Sequence, residues 1–253
     1  MLMGKIRIML MGKIRKLFEA RGFVMGGSLD KNSREGALHK AWGHVFSNHL
    51  MGDYVEFGVY KGDSFVESHK QYSIFKKWLT SQTRSTEKWR RDVAVNFIES
   101  EVKFHGLDTF SGMPENDEEN VTFGKGTFLA EISNVSSKCI ASGMNKEKFY
   151  LYKGLFKDTE SDLERNISNK VAIVNIDGDL YESAKDSFAI IEKYLQVGTV
   201  ILCDDYNTFN ADNRKGERRA FAEFTEKSQL KFEKWFAYQY SGQAFLCVDD
   251  SRL

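Results

Sequence analysis

Two pairs of aspartates close two apolar runs of strand character. VAIVNIDGDLYES carries Asp177 and Asp179, and TVILCDDYNTF carries Asp204 and Asp205. Four carboxylates at the ends of neighbouring strands repel one another and lose solvation. A hard divalent cation relieves both problems, and Mg²⁺ takes oxygen ligands while keeping several waters. No cysteine or histidine accompanies them in sequence, which argues against zinc. Helix caps and turn acids are the structural alternative. A further acid, Asp108 in HGLDTFSGMPE, stands where a carboxylate can accept hydrogen bonds from both hydroxyls of a ribose. An Asx turn explains that residue equally well. In GDYVEFGVYKGDSF, Gly58 and Gly62 flank a strand-to-helix turn and Ser64 opens the helix. Glu56 before it would repel a pyrophosphate but could pair with an ammonium group. The turn is neither GxGxxG nor GxxxxGK[ST], so dinucleotide and P-loop fingerprints are absent. His39, His44 and His49 recur every five residues, each turned about 140° from the last on a helix. They read as surface or packing residues.

The elements needed to position these groups are legible. Short apolar runs predict strands over Tyr54–Phe57, Val102–Leu107, Phe149–Tyr152, Val171–Ile176 and Thr199–Cys203. Helical patterns lie between them over 62–79, 129–143, 183–195 and 215–228, with another over 37–50 whose Leu38, Trp42, Val45 and Phe46 share a face. Alternating strands and helices imply an α/β sheet covered on both faces. LKFEKWFAY and QAFLCVD, joined at Ser241-Gly242, predict a closing antiparallel hairpin. Ligands of such sheets bind beyond the carboxyl ends of the strands, where all the acids above fall. The expected organisation is one domain over 51–253 behind a helical extension over 1–50.

The chain has 253 residues, 36 basic and 36 acidic, so it lacks the cationic excess of a nucleic-acid binder. No apolar run approaches the ~20 residues of a membrane span. Cys139, Cys203 and Cys247 are odd in number and far apart, which fits a reducing cytoplasm. MLMGKIR occurs twice, at 1–7 and 9–15; its charges interrupt any signal-peptide core and suit a helical arm. Lysine outnumbers arginine 24 to 12, which points to an AT-rich bacterial genome.

VEFGVYKGDS, GLDTFSGMPE, KGLFKDT, VNIDGDLYESAKDS, VILCDDY and KGERRAFAEF, in that order over roughly 50–225, resemble the macrocin O-methyltransferase family. The resemblance implies a class I methyltransferase (Rossmann-like) fold, whose seven-stranded, mostly parallel sheet has its last strand antiparallel. It implies S-adenosylmethionine, Mg²⁺ or Mn²⁺, and a small-molecule sugar acceptor, free or nucleotide-linked. Carried over by position, Glu56 and Gly58 would hold the methionine end of the cofactor, with Phe57, Val59, Gly62 and Ser64 completing the turn. Asp108 would bind the ribose beside Thr109 and Phe110. Phe156 and Thr159 would lie near the adenine. Asp177, also beside the cofactor, would bind the metal with Asp204 and Asp205, and Asp179 would be the general base. Exchange of the roles of Asp177 and Asp179 stays open. The stretch 76–95, KKWLTSQTRSTEKWRRD with its flanks, is longer than the family pattern and reads as a flap or a helix extension. A homo-oligomer is expected.

Methyl transfer to a hydroxyl is an in-line displacement in which positioning supplies much of the rate. A metal lowers the hydroxyl pKa and a carboxylate takes the proton. His105 and Lys185 are alternative bases. A catechol-like phenol as acceptor, or a non-catalytic S-adenosylmethionine-binding protein, are the competing readings.

Overall fold

Strand β1 (Asp53–Phe57) is buried along its whole length, and its residues alternate between two cores. Tyr54 joins one cluster, whereas Val55 and Phe57 join the other. The alternation is the two-residue period of a strand covered on both faces. The same holds on β5 (Val200–Cys203), where Val200 and Leu202 face one way and Ile201 and Cys203 the other. This computed structural model describes residues 30–98, 101–116 and 121–252. The basic repeat at 1–15 lies outside them.

The sheet is completed by β2 (Phe104–Asp108), β3 (Phe149–Lys153), β4 (Val171–Ile176), β6 (Leu230–Tyr238) and β7 (Gly242–Asp250), in the order β3-β2-β1-β4-β5-β7-β6. Pairings from β3 through β5 are parallel, and β7 runs antiparallel to both β5 and β6. This is the class I methyltransferase sheet expected from the sequence, with its closing hairpin. Strand order reverses between β1 and β4, and that switch opens a crevice at the carboxyl ends.

Helices α1 (Arg34–Ser47), α2 (Asp63–Gln82), α3 (Lys88–Ile98) and α4 (Ile132–Ala141) supply the first core; α5 (Phe156–Glu164), α6 (Tyr181–Ile191) and α7 (Gly216–Lys227) supply the second. α1 is capped by Ser33, whose Oγ accepts from the Gly36 N–H at 3.0 Å. Its Trp42 is fully buried, donates its indole N–H to Ser68 Oγ at 2.9 Å, and packs against Tyr54, Tyr72 and Phe104. α1 is therefore a layer of the core. The stretch 76–95 forms the end of α2, a turn and most of α3, and α3 buries Ala94 and Phe97. α5 has no counterpart among the predicted helices. Only Phe156, Thr159 and Leu163 of its nine residues are buried, and the rest are mostly charged, so its apolar period is faint.

Candidate active site

The carboxyl ends of β1, β2, β4 and β5 open into a cavity of about 290 Å³. Gly58 begins its wall. With φ +90° it occupies the left-handed region, and a Cβ there would stand 1.8 Å from the Asp177 carbonyl oxygen. Only glycine lets β1 and β4 approach this closely at the switch. Asp108 ends β2. Its Oδ2 accepts the Tyr60 N–H and its Oδ1 the Phe110 N–H, each at 2.7 Å. Both donors sit at φ +47°, so two strained residues aim their amides at one carboxylate. The Val59 amide and the Thr109 hydroxyl add to these, and the carboxylate lines the cavity. Burial raises the Asp108 pKa against the pull of those amides.

Glu56 does not reach the cavity wall. It is fully buried, its Oε1 accepts from Ser64 Oγ at 2.6 Å, and Tyr54 donates its hydroxyl to Oε2. Burial pushes its pKa up to about 7, with the Ser64 and Tyr54 bonds opposing. Phe57 and Val59 are buried beneath the turn, and Gly62 caps α2 at φ +76°. Thr109 and Phe156 line the cavity, and Phe156 meets Phe57 edge-on at 5.2 Å between centroids. Phe110 and Thr159 are buried; Thr159 Oγ1 donates to the Phe156 carbonyl at 2.7 Å. Of the expected cofactor residues, then, Gly58, Asp108, Thr109, Phe156 and Asp177 face the space, and the others support them.

The four aspartates do converge. Asp177, Asp179 and Asp205 each present an oxygen, all within 4.8 Å of one another. Asp179 adopts φ +58°, and the DGD segment lines the cavity. Burial, then the neighbouring Asp205, push its pKa up to about 10. Burial, then Asp204, raise that of Asp177. Asp204 lies outside that trio. It is 4% exposed and accepts from the Arg34 guanidinium, which also reaches Asp177 Oδ2 at 2.8 Å. Burial works to lower the Arg34 pKa, but Asp177 and Asp204 outweigh it and leave it raised. A fifth acid, Glu217 of α7, is fully buried. Its Oε2 accepts the Asp205 N–H at 3.1 Å, and its Oε1 finds no hydrogen-bond partner among the described residues. Burial and then Asp205 hold its pKa well above the carboxylate range.

Neither Arg34 nor Glu217 was anticipated. Glu217 sits in the KGERRAFAEF stretch, where an acid in the first turn of a helix looks like an ordinary dipole partner. Arg34 meets Asp204 across 170 residues of sequence and leaves no local signal. The alternative bases fall elsewhere. His105 is buried between Asp53 at 3.1 Å and the Tyr152 hydroxyl at 2.9 Å, and Lys185 pairs with Glu182 on α6.

All the donors offered by the cluster are carboxylate oxygens, three of them already close, and burial together with neighbouring carboxylates raises the pKa of Asp177, Asp179 and Asp204. The set fits a hard divalent cation. Among the described residues no helix is long and apolar enough to cross a membrane.

A model of the macrocin-O-methyltransferase (TylF) family matches residues 96–233. The 8-demethyl-8-(2,3-dimethoxy-α-L-rhamnosyl)-tetracenomycin-C 4′-O-methyltransferase of Streptomyces olivaceus is 26% identical over 164 residues, 64% of this chain. The match spans 56% of that relative's length. Among solved structures, the O-methyltransferase NovP superposes with a TM-score of 0.63 at 19% identity, covering 93% of this chain and 89% of that one. CalS11, a calicheamicin methyltransferase, gives 0.58 at 17% identity over 85% of this chain and 79% of that one.

Proposed function

The chain belongs to the macrocin O-methyltransferase family, and from that premise we propose that it transfers a methyl group from S-adenosylmethionine to a sugar hydroxyl with the help of a divalent cation. The observation that carries the reading is the acidic crevice, in which Asp108 and the four aspartates of β4 and β5 face one cavity. S-adenosylmethionine supplies the electrophilic methyl group. The Asp108 carboxylate on the cavity wall suits a pair of ribose hydroxyls, and Phe156 offers a flat apolar face for an adenine. Asp177, Asp204 and Asp205 would hold Mg²⁺ or Mn²⁺, whose positive charge lowers the pKa of the acceptor hydroxyl and of the carboxyls around it. Asp179, on the cavity wall, takes the proton of the acceptor hydroxyl. The buried Glu217 fixes the backbone of Asp205. A protein acting on a free or nucleotide-linked sugar, as a homo-oligomer in a bacterial cytoplasm, completes the reading.

Turnover of a panel of nucleotide sugars and glycosides, followed by mass, tests it. EDTA should abolish methylation, and Mg²⁺ or Mn²⁺ should restore it. Asp179→Asn should lose ~10²–10⁴-fold in rate, the usual contribution of a general base. Full activity in EDTA removes the cation from the mechanism. Methylation of catechols alone removes the sugar.

A further inference from the structure

Arg34 is the first residue of α1, directly after the Ser33 cap. Its guanidinium forks across two carboxylates from different strand ends, Asp177 Oδ2 at 2.8 Å and Asp204 Oδ2. A planar fork with several donors bridges two acids in a way that a single ammonium does not. Its Nε is buried with no hydrogen-bond partner, so those two acids fix the group. They are also two of the three carboxylates that the proposed cation requires. Asp177, Asp179 and Asp205 lie together while Asp204 is held by the arginine.

We propose that Arg34 is a resident counter-ion of the acceptor site: it stands between Asp177 and Asp204 where the divalent cation binds, and the cation enters by displacing it. This inference rests on the cation-dependent reading given above. Two consequences follow from charge and anatomy. A monovalent ion carries no more charge than the guanidinium and gains nothing by replacing it, whereas a divalent ion does. Arg34 therefore makes the site selective for divalent cations. Its departure also unties the first turn of α1 from the carboxylates. The rest of the helix stays in place, because Ala37, Leu38, Ala41, Trp42, Val45 and Phe46 are locked in the core. The released segment is thus confined to the residues before Ala37, beside the cavity that Arg34 lines.

Mn²⁺ binding to the full chain, measured by electron paramagnetic resonance of the free ion, tests the displacement. Arg34→Gln removes both the competitor and its repulsion, so it should bind Mn²⁺ at least ten-fold more tightly than the wild type. Arg34→Lys keeps the charge without the fork and should fall between them. A cooperative thermal melt checks that the variants fold. Hydrogen exchange of the wild type supplies a readout that needs no variant. Saturating Mn²⁺ should speed exchange of the amides at 35–36 and leave those at 41–46 unchanged, and Arg34→Gln should show no Mn²⁺-dependent change. Equal or weaker Mn²⁺ binding by Arg34→Gln overturns the proposal, as does unchanged or slower exchange at 35–36 in the wild type. Tighter binding that survives Asp205→Asn lies elsewhere on the protein and overturns it too. Failure of both wild type and Arg34→Gln to bind Mn²⁺ overturns the cation-dependent reading itself, and this inference with it.

Discussion

Glu56, fully buried, and Asp179, half-buried, are acids with different neighbours. Asp179 is surrounded by carboxylates, whereas Glu56 has hydroxyl donors on both oxygens. The Glu56 pKa still rises from 4.5 to about 7, because two neutral hydrogen bonds do not replace the hydration lost on full burial. Between those two pH values the folded chain keeps a proton that the unfolded chain has released. The contribution of this residue to stability is thus complete below about pH 4.5 and is lost as pH rises to about 7. It amounts to about 3 kcal/mol. Glu56→Gln cannot ionise. Urea unfolding at pH 5 and 7.5 should show the variant gaining about 2–3 kcal/mol relative to wild type at the higher pH. Parallel pH profiles would show that Glu56 is ionised in place. Its role as a partner for a ligand ammonium was suggested by position at a strand end. Position alone does not reveal that Tyr54 and Ser64 already hold both oxygens.

At the scale of elements, α1 carries more than a linker would. Its 3.6-residue apolar face was readable, but the surface it covers was not, because periodicity says that a face is buried and not where. Trp42→Ala should cost about 3–5 kcal/mol by denaturant titration, from the cavity left among Tyr54, Tyr72 and Phe104 and the loss of the bond to Ser68. Trp89→Ala, on the 62% exposed tryptophan of α3, should stay within about 0.5 kcal/mol. An equally small effect at Trp42 would mean that α1 packs only loosely. The strands were legible because continuous apolar runs such as VAIVNI need burial on both faces. α5 was not, because a short helix at a rim buries three side chains and exposes acids.

At the scale of the whole molecule, the site is a meeting of distant segments: α1, the ends of four strands, and the loops that follow them. The aspartates could be found from sequence because each ends a strand run, and the fold rule puts ligands there. Their electrostatic partner could not, since Arg34 comes from the other end of the described chain. A ligand that bridges such segments should stabilise the fold as one body. S-adenosylhomocysteine at a hundred times its Kd should add about 2.7 kcal/mol, read as a rise of several degrees in Tm. Calorimetry showing no binding, together with an unchanged Tm, would remove the cofactor assignment.

The hairpin of β6 and β7 places β7 between β5 and β6, so among the described residues β6 pairs with no strand other than β7. The turn between them also braces the acidic loop: Ser241 Oγ donates to the Asp204 carbonyl at 2.7 Å, and the Asn207 N–H donates to the Ser241 carbonyl at 2.9 Å. On the ribosome this gives the crevice a schedule. The parallel strands can assemble as they emerge, but the loop bearing Asp204 and Asp205 lacks its Ser241 brace until the hairpin has left the exit tunnel. A nascent chain arrested before that point carries the acids with Arg34 and Glu217 but without the Ser241 brace or the β7 pairing, so the crevice is finished last.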